Sequence, residues 1–90
     1  MDKKLFKSKK GEIHFGRNCS EGFEEAGKSD VEDAISKLKK NKNKNKKFWR
    51  CNVCNDLYLG EIPPYECPTC HSIEAYVEID EKEFRKLIGI

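Results

Sequence analysis

No stretch of the 90-residue chain approaches the ~20 consecutive apolar residues that a membrane-spanning helix needs. The basic N-terminus MDKKLFKSKKGEIHF also lacks the roughly 7–15-residue apolar core of a secretory signal. A cytoplasmic location and no membrane partner are therefore expected. Apolar residues are few, 37% against 38% charged. A core that lean, in a chain this short, often needs a metal, disulfides or a partner to hold it. The five cysteines are an odd number, and the cytosol keeps thiols reduced. A disulfide framework is thus a poor explanation of them, and metal ligation a better one.

Charge divides the chain unevenly. Residues 1–47 carry 14 Lys/Arg against 8 Asp/Glu, a balance of +6, and residues 48–90 carry 4 against 8, a balance of −4. Three segments are expected: an N-terminal segment over 1–40, a Lys/Asn linker over 41–47, and a metal-binding domain over 48–90. In the first, Ile13 and Phe15 flank His14 in strand-like alternation after a turn over 7–11, which suggests a hairpin. A helix over 30–40 follows. Ser29 and Glu32 have capping-box spacing, and Val31, Ala34, Ile35 and Leu38 form one apolar stripe. The run NKNKNKK has no apolar residue and reads as a solvated linker. In the last segment Ile73, Ala75, Val77 and Ile79 alternate with polar residues, the mark of a half-buried strand. Asp80 and Glu83 then cap a short helix whose apolar residues are Phe84, Leu87 and Ile88.

The chemistry concentrates in FWRCNVCNDLYLGEIPPYECPTC. Cys51-x2-Cys54 and, after twelve residues, Cys67-x2-Cys70 form a matched pair. Each short spacing lets one tight turn point two sulfurs at a single ion, and two such turns complete a tetrahedron suited to zinc or iron. Asn55 and His71 follow the pairs, where a left-handed backbone is common, and both residue types tolerate it. With four sulfurs present, His71 is not needed as a ligand.

Residues 48–80 resemble the rubredoxin-like domain at the C-terminus of rubrerythrins. The resemblance rests on Trp49-Arg50-Cys51-x-x-Cys54, Gly60, Pro64, Cys67-Pro68-x-Cys70 and Ala75-Tyr76, with the short gap of the rubrerythrin type. It implies one iron held by the thiolates of Cys51, Cys54, Cys67 and Cys70, cycling between ferric and ferrous states, and an electron-transfer role. The fold expected is a small metal-stabilised α+β domain of rubredoxin-like or zinc-ribbon type, with two cysteine knuckles and short helices outside them. The family's di-iron chemistry is not carried over. No Glu-x-x-His occurs, and residues 1–47 are too few for a four-helix bundle.

Asp56, Glu61, Glu66 and Glu74 are placed by sequence around the metal turns, where they would steer a redox partner with a basic docking face. Phe48, Trp49, Tyr58, Tyr65 and Tyr76 crowd the same region and read as the core of a tiny domain. Cys19 has no nearby partner and reads as an inert thiol, and His14 as a surface or hydrogen-bonded residue. With no base or oxyanion motif to serve Cys19, no catalytic activity is expected. The alternative to an iron carrier is a structural zinc ribbon that contacts protein or nucleic acid through its lysines, because both metals accept four thiolates.

Overall fold

The structure, a computed structural model, describes residues 3–18, 21–40 and 46–90, with residues 39 and 40 as backbone only. A hairpin opens the chain, as the alternation around His14 predicts. β1 (Lys4–Ser8) pairs antiparallel with β2 (Ile13–Gly16), with Phe6 opposite His14. β3 (Phe23–Glu25) adds to the free side of β1. After α1 (Lys28–Lys40) come β4 (Lys47–Cys51) and β5 (Leu57–Gly60), then β6 (Tyr76–Ile79) and α2 (Glu81–Ile88). The strands form one antiparallel sheet in the order β3-β1-β2-β5-β4-β6. β2 joins β5 directly, with His14 opposite Tyr58. Strands from both sides of residues 41–47 thus share one hydrogen-bonded sheet. Cys19 and residues 41–45 lie outside the described residues.

The period of two along each strand sorts the side chains onto two faces. Ile13, Phe48, Leu57 and Leu59 point to one face, where Val31 and Ile35 of α1 and Phe84 and Ile88 of α2 close the main core over them. Phe48 meets Phe84 at a ring separation of 4.8 Å. The opposite face carries Tyr58, Tyr76 and the cysteines. β5 is buried on both faces, and its run LYLG carries no charged side chain.

Both helix starts can be compared with their sequence signals. Asp80 caps α2 as expected, its Oδ1 accepting from the Glu83 amide at 2.8 Å, and Gly89 ends that helix in the left-handed region at φ 94°. α1 begins one turn-edge earlier than Ser29 implied. Gly27 occupies the cap position, and Asp30 reaches back to accept from its amide at 2.9 Å. That hydrogen bond, with the Lys7 ammonium at 3.3 Å, holds the Asp30 carboxyl below its ordinary range. The apolar stripe of α1 is as expected.

The strand expected over 73–79 is shorter, though Ile79 packs against the main core as the alternation implied. Glu74 adopts φ 50°, which breaks the extended run, and β6 starts at Tyr76. Tyr76 is the buried residue, whereas Ile73 and Val77 are exposed. Pairing with β4 puts Tyr76 opposite Cys51 on the cysteine face, which buries the one ring that the alternation had placed outside. Leu87 is likewise exposed, because α2 is anchored by Phe84 and Ile88, one turn apart. Among the described residues no helix is long and apolar enough to cross a membrane.

Asp80→Ala removes the acceptor that satisfies a first-turn amide of α2. A loss of about 1 kcal/mol is expected from equilibrium unfolding in urea. An unchanged midpoint would mean that α2 takes its start from core packing alone.

Candidate metal centre

Two knuckles with matching backbones build the site. In the first, Asn55 donates its amide to Cys51 O at 3.0 Å, and Cys51 donates to Asp56 O at 2.7 Å. In the second, His71 donates to Cys67 O at 2.8 Å, and Cys67 donates to Ser72 O at 3.0 Å. Asn55 and His71 both take the left-handed conformation, at φ 66° and 61°. This agrees with the reading of those two positions. β4 delivers the first knuckle, and Tyr65 O and the Glu66–Ile73 bridge close the base of the second.

The four sulfurs all lie within 4.8 Å of one another. Across the knuckles Cys51 Sγ is 3.7 Å from Cys70 Sγ, and Cys54 Sγ is 3.4 Å from Cys67 Sγ. A disulfide requires ~2.05 Å. Four sulfurs at ~2.3 Å from a central ion are separated by about 3.8 Å, so the donor set fits a tetrahedral thiophilic metal. Cys51 and Cys67 are buried, while Cys54 and Cys70 reach partway to the surface. Backbone amides aim at the sulfurs. Asp56 N–H serves Cys54, Ser72 N–H serves Cys70, and those of Thr69 and Cys70 serve Cys67. Burial pushes the Cys54 and Cys67 thiols up, whereas the Ser72 hydroxyl and amide bring Cys70 down to about 6.

The face beneath is aromatic but holds fewer rings than the sequence suggested. Tyr58 and Tyr76 meet edge-on at 6.3 Å, with Trp49 packed beside them. The Tyr76 hydroxyl points to Cys67 Sγ at 3.8 Å, and burial raises the pKa of both phenols. Phe48 belongs to the other face, and Tyr65 is 68% exposed.

The sequence reading missed the buried polar pair behind Cys67. His14 is 1% exposed and Asp56 0%, and His14 Nε2 sits 3.2 Å from Asp56 Oδ2. The same carboxylate oxygen lies 3.7 Å from Cys67 Sγ. Asp56 Oδ1 makes no hydrogen bond among the described residues and faces the Lys3 ammonium at 3.9 Å. Burial alone would raise the Asp56 carboxyl, but hydrogen bonds from His14 and Thr69 outweigh it and hold the group below its ordinary range. Gly16 makes the room, since a Cβ there would collide with both Asp56 oxygens. No local pattern reveals a pair 42 residues apart in the chain. The one available signal was a histidine flanked by apolar residues on a strand.

Asp56 therefore cannot steer a partner, contrary to the sequence reading. Glu61 leaves β5 after Gly60, which pairs with Lys47 at the end of the ladder away from Cys51. Glu66 and Glu74 stay exposed beside the second knuckle, with Glu66 Oε2 2.7 Å from His71 Nδ1. His71 stands outside the sulfur cluster.

The N-terminal hairpin braces both knuckles. Lys3 Nζ donates to Cys54 O at 3.0 Å and Asn55 O at 2.8 Å. Asn18, beyond β2, donates to Pro68 O at 3.3 Å and Thr69 Oγ1 at 3.4 Å. The site is a four-cysteine cluster able to hold a metal ion. No protein-family model, curated protein or solved structure matches the chain.

His14→Leu strips the buried Asp56 carboxylate of its imidazole partner. A loss of about 3 kcal/mol in unfolding free energy of the metal-loaded protein is expected. A loss below about 0.5 kcal/mol would show that other donors suffice for Asp56. Because Cys54 and Cys67 are thiols at neutral pH and must ligate as thiolates, zinc added to the metal-free protein at pH 7 should release at least two protons per ion. Release of fewer than one, measured in weakly buffered solution, would mean that these two sulfurs do not both ligate.

Proposed function

We propose that the chain is a rubredoxin-like one-electron carrier that holds a single iron through Cys51, Cys54, Cys67 and Cys70. The observation that carries this reading is the unequal burial of a complete sulfur set. Cys51 and Cys67 lie deep against Tyr58 and Tyr76, while Cys54 and Cys70 approach the surface together. Sulfurs close to the surface give an electron a short path to a partner. Iron held by these four sulfurs would supply one reversible electron.

The chain's own residues serve that exchange. The amides of Asp56, Thr69, Cys70 and Ser72 offset thiolate charge. Tyr58, Tyr76 and Trp49 exclude water from the inner side. Val53, between the first two cysteines, and Ile73, after the second pair, are 62% and 49% exposed. They give the sulfur edge an apolar contact surface for a redox partner, and Glu66 and Glu74 favour one with basic groups at its docking face. No catalytic activity of its own is assigned, and cytoplasmic residence accords with four reduced thiols.

The test is the colour and redox response of protein purified aerobically from its native host, with metal content measured. A ferric four-thiolate site is red and bleaches on uptake of one electron per iron. Cys67→Ala should abolish both the colour and the metal. Stoichiometric zinc with no electron uptake in an anaerobic reductant titration would replace this reading with that of a structural zinc ribbon.

A further inference from the structure

The end of the sheet away from the knuckles is also built, and with the opposite charge. The turn between β1 and β2, α1, and the residue before β4 enclose a cavity of about 320 Å³. Five lysines line it, Lys7, Lys9, Lys10, Lys37 and Lys46, against two carboxylates, Asp30 and Asp33. Each carboxylate is already engaged, Asp30 with Lys7 at 3.3 Å and Asp33 with Lys37 at 3.2 Å. Lys9, Lys10 and Lys46 have no carboxylate partner among the described residues. Three uncompensated ammonium groups thus share one concave surface.

Local structure fixes where they stand. Gly11 donates its amide to Ser8 O at 3.1 Å, and the Glu12 amide donates to Ser8 Oγ at 3.1 Å, so the turn that carries Lys9 and Lys10 is closed from both sides. Gly11 takes φ 85°, and a Cβ there would press on Lys46 Nζ. Lys46 Nζ donates to Lys10 O at 3.0 Å, which ties it to the turn and leaves its other donors for a ligand.

From this juxtaposition we infer that the groove between the β1–β2 turn and α1 binds the phosphate backbone of a nucleic-acid duplex. Three unpaired ammonium groups in a concavity repel one another, and phosphate oxygens relieve that repulsion. The lining includes no aromatic side chain, so there is no stacking platform for the unpaired bases of a single strand. Lysines are flexible point charges suited to a row of phosphates, without the planar fork that reads base edges. The sequence over 37–47 carries seven lysines and no carboxylate, more charge than one phosphorylated metabolite would match. Binding is therefore sequence-independent and needs no electron transfer, so it stands whichever metal fills the four-cysteine site.

The experiment uses the metal-loaded full chain and a fluorescein-labelled 20-base-pair DNA duplex of mixed sequence, read by anisotropy. Duplex binding should be measurable at 50 mM salt. Its affinity should fall with salt on a log–log slope of about −3, as expected for roughly three phosphates. Lys10→Glu with Lys46→Glu should weaken binding at least tenfold. Lys82→Glu with Lys86→Glu, the same charge change on α2, should weaken it less than threefold. Four results would each overturn the proposal. These are no binding at 50 mM salt, equal losses in the two double variants, tighter binding of the single strand, and displacement of the duplex by submillimolar pyrophosphate.

Discussion

Four sulfurs brought within 4.8 Å of one another by two turns set the terms for everything else on their face of the sheet. As thiolates they repel one another strongly, and as thiols they waste buried surface on weak hydrogen bonds. A cation at their centre would turn the same arrangement from repulsive to favourable. The surrounding chain is shaped accordingly. Amides converge on the sulfurs, positive φ angles at Asn55 and His71 turn the backbone out of the way, and tyrosines close the inner side.

The second dependency runs through the hairpin of β1 and β2. A short ribbon of β4, β5 and β6 has little apolar area to offer, and the hairpin extends the sheet so that Ile13 can join the core under α1. It also reaches the knuckles at three points. Lys3 holds the first, Asn18 the second, and His14 supports the buried Asp56 between them. Truncating the chain to its cysteine-rich half would therefore remove more than a flanking segment, because a buried carboxylate would lose its partner.

Much of this was legible from local signals. The paired Cys-x2-Cys spacing located all four ligand candidates, the two residues tolerant of positive φ marked the turns, and Asp80 with Glu83 marked the start of α2. These features depend on neighbours a few residues apart. The failures share the opposite property. The burial of Tyr76 is set by Cys51 across a ladder, and Val77 is exposed although it shares a face with Ile79. Asp56 looked like a surface acid because its partners, Lys3 and His14, lie far upstream. Ser29 lost the cap position because Asp30 could satisfy the Gly27 amide while also meeting Lys7 from β1.

The braces have a kinetic side. The two knuckles are close in sequence, with Cys51 and Cys70 only 19 positions apart, whereas His14 meets Asp56 across 42 positions and Lys3 meets Cys54 across 51. Closing the longer loops costs more chain entropy, though the cost grows only logarithmically. The order of assembly this favours is ligand capture within the C-terminal half first, and docking of the hairpin onto a finished edge of β5 afterwards. On that route the strands synthesised first are placed last, and the nascent hairpin waits for the surface that will accept it.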